Sequence, residues 1–140
     1  MNQTKIKHMY YELHRELWRG IKDWYTAHRV EEWDEIESVK SEVIDNIIGC
    51  DMINNDCFLC HWYREMDPDP NPINRCFKCP CGVPSKIKGH EDTCHCMPYQ
   101  EIDDLLDDEI LGFNPENDEV QASIDRLFEL FDEMINIKEV

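Results

Sequence analysis

The sequence predicts a mainly α fold in one domain, residues 1–140, with N- and C-terminal amphipathic helices packed around an irregular cysteine-rich module. Three observations predict it. Apolar residues recur at steps of three and four in residues 1–49 and again in 98–140, all eight cysteines fall between Cys50 and Cys96, and the segment between the arms has no apolar period of its own. The chain therefore divides into a helical arm (1–49), a cysteine-rich module (50–97) and an acidic helical arm (98–140). Its 140 residues suffice for a modest core, since a chain near 150 residues buries roughly 68–70% of its unfolded surface.

In the first arm Ile6, Tyr10, Leu13, Leu17, Ile21, Trp24 and His28 fall on one helical face. Gly20 sits inside that helix at a cost of about 1 kcal/mol relative to Ala, and the helix is expected to end or bend around residues 26–30. A second stripe, Trp33, Ile36, Val39, Val43 and Ile47, runs to Gly49, where a left-handed residue can stop a helix at little cost. In the last arm Pro98 suits the first turn of a short helix carrying Ile102, Leu105, Leu106 and Ile110, with Gly112 as its stop. Asn114-Pro115 reads as the N-cap and first position of a final helix. That helix aligns Val120, Ile124, Leu127, Phe128, Phe131, Met134 and Ile135. These stripes are read as core-facing surfaces.

Between the arms, residues 64–75 alternate proline with Asp and Asn, which blocks helix and central strand, and residues 82–93 read as a second loop. Apolar packing cannot order such segments by itself. The cysteines are the available alternative.

Cys57-x2-Cys60, 15 intervening residues, then Cys76-x2-Cys79 is a two-knuckle spacing suited to tetrahedral zinc. Two residues between ligands allow a tight turn that aims both sulfurs at one ion, with Zn–S of about 2.3 Å. Binding of Zn²⁺ would then supply folding free energy that the proline-rich loop lacks. Cys50, Cys81, Cys94 and Cys96 remain for a second, less regularly spaced site, in which His90 and His95 offer alternative ligands. The other reading of these four is free thiols packed as small apolar groups, and Cys81 could compete with Cys79 for the first ion. One zinc ion is expected and a second is left open. Four thiolates close the coordination sphere, so the expected role is structural.

Other metal chemistries fit less well. Cys57-Phe58-Leu59-Cys60-His61 matches the C-x-x-C-H haem attachment pattern, but no export signal accompanies it. Cys76-x2-Cys79-Pro80 lacks the additional cysteines of a ferredoxin run. A zinc deaminase needs P-C-x-x-C, whereas Pro80-Cys81 is followed by Gly82-Val83-Pro84.

The charge is 14 basic against 31 acidic side chains, a formal −17, and mean hydropathy is −0.64. Residues 1–50 contribute −3, residues 51–100 contribute −2, and residues 101–140, with 14 acids and 2 bases, contribute −12. Such a balance disfavours direct binding to nucleic-acid backbones and to anionic membranes. No apolar run reaches the roughly 18 residues a membrane span needs, and the N-terminal residues lack a signal-peptide core. The expected location is cytoplasmic, a reducing compartment in which cysteines serve metals more readily than disulfides.

The order His14-Arg15-Glu16-Leu17-Trp18, Cys57-x2-Cys60, Cys76-x2-Cys79-Pro80, Cys94 through Pro98-Tyr99 and a closing amphipathic helix resembles small cysteine-rich proteins of bacteriophage genomes. The resemblance implies phage origin, metal binding and a host-cell cytoplasmic setting. Cys81, Cys96 and the long proline-rich loop depart from that pattern and leave the ligand set open.

Three function classes follow. An interaction protein would use the acidic stretch at 101–109, in which Glu101, Asp103, Asp104, Asp107 and Asp108 could engage a host or defence protein with a basic nucleic-acid-binding surface. Carboxylates along a helix can imitate a phosphate backbone, and the competing reading is a solvated face that keeps the chain soluble. A zinc-ribbon-like nucleic-acid or transcription-regulating module would use Arg75, Lys78, Lys86, Lys88 and His90 with Phe77 stacking. An enzyme is not expected: no Ser-His-Asp, phosphate loop, dinucleotide turn or H-E-x-x-H motif occurs, and His8, His14 and His28 lie at spacings that make no metal pair. The sequence therefore favours the interaction protein, with its oligomeric state left open.

Overall fold

A computed structural model describes residues 2–49, 58–63, 82–84, 94–106 and 117–139. Among them the fold is mainly helical, as expected. Helix α1 (Gln3–Ala27) starts at Asn2, whose side chain accepts a hydrogen bond from the Lys5 N–H at 2.9 Å. This satisfies one of the backbone donors that a helix start leaves without an internal partner. The helix ends where expected, with the His28 N–H returning to the Trp24 carbonyl at 3.2 Å.

The connection to α2 (Ile36–Ile48) contains a 3-10 turn, Val30–Glu32, so Trp33 precedes the second helix rather than opening it. Trp33 instead locks the corner. Its Nε1–H donates to the carbonyls of Tyr25 at 3.1 Å and His28 at 2.9 Å, while the Tyr25 hydroxyl donates to the Asp34 carbonyl at 2.8 Å. Gly49 stops α2 with a left-handed φ of 74°, a conformation open to glycine because no Cβ collides with the backbone. Gly20 has a different use: a Cβ there would come within 2.6 Å of Val43 Cγ1, so the missing side chain sets how closely α1 and α2 approach.

Helix α3 (Phe58–His61) docks on the N-terminal half of α1. Phe58, Leu59, Trp62 and Tyr63 are buried, Trp62 lies 5.8 Å from the Tyr10 ring, and the Tyr63 and Tyr11 hydroxyls share a 2.9 Å hydrogen bond. Strands β1 (Gly82–Pro84) and β2 (Cys94–Cys96) pair antiparallel, with Gly82 opposite Cys96, Val83 opposite His95 and Pro84 opposite Cys94. Residues 82–84, read from sequence as part of a loop, are therefore a strand. The pairing joins segments ten residues apart and depends on backbone hydrogen bonding, which leaves no apolar alternation in such short pieces.

Strand β2 runs directly into α4 (Met97–Asp104), which places Pro98 in the first turn as its missing N–H allows. Ile102, Leu105 and Leu106 are buried as expected, whereas Ile110 and Gly112 lie outside the described residues. Helix α5 (Asp118–Ile135) is capped by Asn117, which accepts from the Glu119 N–H at 2.8 Å. The start is thus three positions beyond the one expected from Asn114-Pro115, themselves outside the described residues. Asn is an equally good N-cap at 117, and the fixed φ of Pro115 is what favours the earlier start in sequence.

Helices α1 and α5 run antiparallel. Moving along α1, His8 reaches Glu139, the His14 Nε2 meets the Met134 carbonyl at 2.7 Å, and Tyr25 stacks on Phe131 with 5.4 Å between centroids. The face of α1 that is fully buried, Tyr11, His14, Leu17, Trp18, Ile21 and Tyr25, is rotated about 60° from the predicted stripe at 100° per residue. Ile6, Tyr10, Leu13 and Trp24 flank it, partly buried. The reason is that α1 serves α2, α3 and α5 together, and the Tyr11 and Tyr25 hydroxyls and the His14 Nε2 find partners inside. Among the described residues no helix is long and apolar enough to cross a membrane.

Candidate functional site

Of the expected ligands, Cys50, Cys57, Cys76, Cys79 and Cys81 lie outside the described residues, as do His90 and the basic residues at 75–88. Cys60, Cys94 and Cys96 have described backbones. Cys60 belongs to α3, whose flanking Phe58, Leu59, Trp62 and Tyr63 fix that turn on α1. One half of the first C-x-x-C is therefore anchored to the hydrophobic core. Cys94 and Cys96 occupy β2, and Cys81 is the sequence neighbour of Gly82, the residue paired with Cys96. Among the described residues no group of three or more His, Cys, Asp or Glu could hold a metal ion. Helical α3 and hairpin β1–β2 are thus the two mounts from which the cysteine-rich segments depart.

The acidic candidates separate. Glu101 is tied to Arg126 of α5 through two contacts, Nε to Oε2 at 2.6 Å and Nη2 to Oε1 at 3.1 Å. The Arg126 hydrogen bond holds the Glu101 carboxyl below the usual carboxylate range; partial desolvation works against this, and the guanidinium charge adds to it. Arg126 also approaches Glu129 at 3.3 Å and Glu133 at 3.5 Å, and the bond to Glu101 leads the causes that push its pKa upward. Glu101 consequently joins α4 to α5. Asp104 is exposed and Asp103 partly so, while Asp107 and Asp108 lie outside the described residues.

Beyond the predicted stretch, α5 carries Asp118, Asp125, Glu129, Asp132 and Glu133 within about 100° of arc, on the side opposite its buried Val120, Leu127, Leu130, Phe131 and Met134. Asp118, Glu119, Asp125, Glu129 and Glu133 are exposed. Sequence reasoning concentrated on 101–109 because the acids there are contiguous. The α5 acids are interleaved with core residues, and the helical period that revealed the apolar stripe also implies its acidic complement.

Lys40 was missed altogether. It is 1% exposed, on the buried face of α2, with its ammonium 4.8 Å from the centroid of the Tyr99 ring. Tyr99 also meets the Trp18 ring edge-on, with 6.2 Å between centroids, so the first turn of α4 is seated between α1 and α2. Burying an ammonium carries an effective penalty of several kcal/mol, of which an aromatic face returns about 2 kcal/mol. The helical period does place it on the apolar face, four residues after Ile36 and three before Val43, but a lysine there ordinarily carries its ammonium out to water, so burial of the charge is not legible in the sequence. The histidines fall as expected: His8 is exposed, His14 is a core residue bonded to Met134, and His28 stacks on Trp24 at 3.9 Å.

Comparison with family models, curated proteins and solved structures yields no match to this chain.

Proposed function

We propose that this chain is a small acidic, zinc-binding, phage-type interaction protein that binds and modulates or inhibits a host or defence macromolecule through its acidic surface, without catalysing a reaction. The observation that carries this reading is the acidic outer face of α5. Its five carboxylates, Asp118, Asp125, Glu129, Asp132 and Glu133, meet two cations among the described residues: Arg126, which is shared among Glu101, Glu129 and Glu133, and Lys22 of α1, which bonds Asp132 at 2.7 Å. At 1.5 Å rise per residue they span about 22 Å, or one charge per roughly 4.5 Å, of the same order as the 3.4 Å per phosphate along one DNA strand. A rigid helix backed by a packed core presents these charges without the ordering cost a flexible acidic tail would carry. A basic nucleic-acid-binding surface on a protein is the complementary partner. Zinc at the cysteine-rich segments, supported by the C-x-x-C spacing, serves to order chain that has no apolar period.

Native mass spectrometry of protein purified from its host, before and after chelation, tests both parts. Expected are one or two zinc ions and a co-purifying protein that is released at high salt and lost when Asp118, Asp125, Glu129 and Glu133 are changed together to their amides. A metal-free folded monomer would refute the zinc reading. Retention of the same partner by the amide variant would refute the acidic face, and a salt-dependent gel shift with nucleic acid would favour the zinc-ribbon alternative.

A further inference from the structure

We infer that Lys22 and Arg126 are autoinhibitory contacts, cations of the chain itself that hold carboxylates of α5 which a basic partner would otherwise engage; this rests on the interaction reading above. Around the helix the acidic face runs from Asp132 through Asp125, Asp118 and Glu129 to Glu133, and the two cations stand at its two edges. Lys22 reaches across from α1 to hold Asp132 at 2.7 Å. Arg126 lies about 20° beyond Glu133 at 100° per residue, on the border where α5 meets Glu101 of α4. Its Nε and Nη2 are fastened to the two Glu101 oxygens at 2.6 and 3.1 Å, and Nη1 leans over Glu129 at 3.3 Å and Glu133 at 3.5 Å.

Both cations are held in place from outside the face. The two-bond fork between Arg126 and Glu101 is the stronger half of that cluster, so the guanidinium stays where it is when a partner arrives. A partner's cation then shares Glu129 and Glu133 with a fixed positive charge instead of engaging them alone, and at the other edge it competes with an ammonium anchored on α1 for Asp132. The pairs are half-exposed, and pairs of that kind are individually weak, so the two cations lower affinity without closing the face. Asp118 and Asp125 form no ion pair among the described residues and remain its open part. A diffuse basic surface therefore meets a reduced field, and a partner that places its own cations well enough to displace the resident ones is favoured over it.

The test is binding of a fluorescein-labelled nona-arginine peptide to the full chain, followed by anisotropy at about 0.1 M ionic strength, where exposed charges more than about 10 Å apart are largely screened. Lys22→Gln and Arg126→Gln should each bind the peptide about threefold more tightly than wild type. Lys5→Gln removes a cation about 25 Å along α1 from Lys22 and should match wild type. Lys22→Gln combined with Asp132→Asn should lose the gain of Lys22→Gln, because the carboxylate set free is gone. If Arg126→Gln does not fold by circular dichroism, the Lys22 variants decide. Unchanged affinity on removing either cation would overturn its role, and so would an equal gain from Lys5→Gln or a gain that survives Asp132→Asn, since net charge would then be responsible. A wild-type chain that binds the peptide no better than the variant with Asp118, Asp125, Glu129 and Glu133 changed to amides would overturn the acidic face itself and this inference with it.

Discussion

Replacing Gly20 by Ala sets two effects of opposite sign against each other. In an exposed helix the substitution is favourable by about 1 kcal/mol, because glycine loses more backbone entropy on folding. Here the new methyl would lie 2.6 Å from Val43 Cγ1, about 0.8 Å inside the 3.4 Å at which ordinary contact begins. Val43 cannot swing aside cheaply, since a β-branched side chain in a helix has one strongly preferred rotamer and this one is 7% exposed. Overpacking of this kind costs about 1–3 kcal/mol, so Gly20→Ala should destabilise the protein by about 1 kcal/mol. In a Val43→Ala background the obstructing methyl is gone, and the same substitution should stabilise by about 1 kcal/mol. Urea titrations of the four proteins at one fixed metal content would give a coupling of about 2 kcal/mol. Stabilisation by Gly20→Ala in the native background would refute the close approach of α1 and α2.

Trp33→Phe removes the donor shared by the Tyr25 and His28 carbonyls, and a loss of about 1–3 kcal/mol is expected in the same titration; a loss below 0.5 would show that the corner is held by something else. Asn117→Ala should cost about 1 kcal/mol in the same titration, and an unchanged midpoint would count against the cap on the Glu119 N–H. Glu101 has a folded-state pKa below its ordinary value, so the stability it contributes is present above about pH 4.5 and is lost as pH falls through the lower folded value. Because both partners are about 40% exposed, solvent screening limits this contribution to about 1 kcal/mol or less. Wild type and Glu101→Gln should therefore differ at neutral pH and low salt and converge in acid, and a constant difference across that range would count against the Arg126 pair.

The limits of the sequence are clearest in α1. Its period of three to four is visible, and Leu17 and Ile21 belong to both faces, yet the fully buried face includes Tyr11, His14, Trp18 and Tyr25, which the stripe centred on Leu17 passes over. A period gives the direction of one face, whereas α1 is covered by three neighbours whose positions are not encoded in that period. The acidic stretch shows the same boundary: composition identified Glu101 as a charge, and only its position 2.6 Å from Arg126 showed that the charge is spent on joining two helices.

What the sequence determined by itself is local or countable. The helices and the Gly49 stop follow from contacts within one or two turns, the C-x-x-C spacing is a count of positions, and the −12 of residues 101–140 is a sum. Tertiary structure alone decided the meeting of Gly20 with Val43, the register of residues 82–84 against 94–96, and the burial of Lys40 on Tyr99. Each of these joins residues that no helical period relates. Their energies come from close packing, backbone pairing and desolvation, which exist only once distant segments have been brought together.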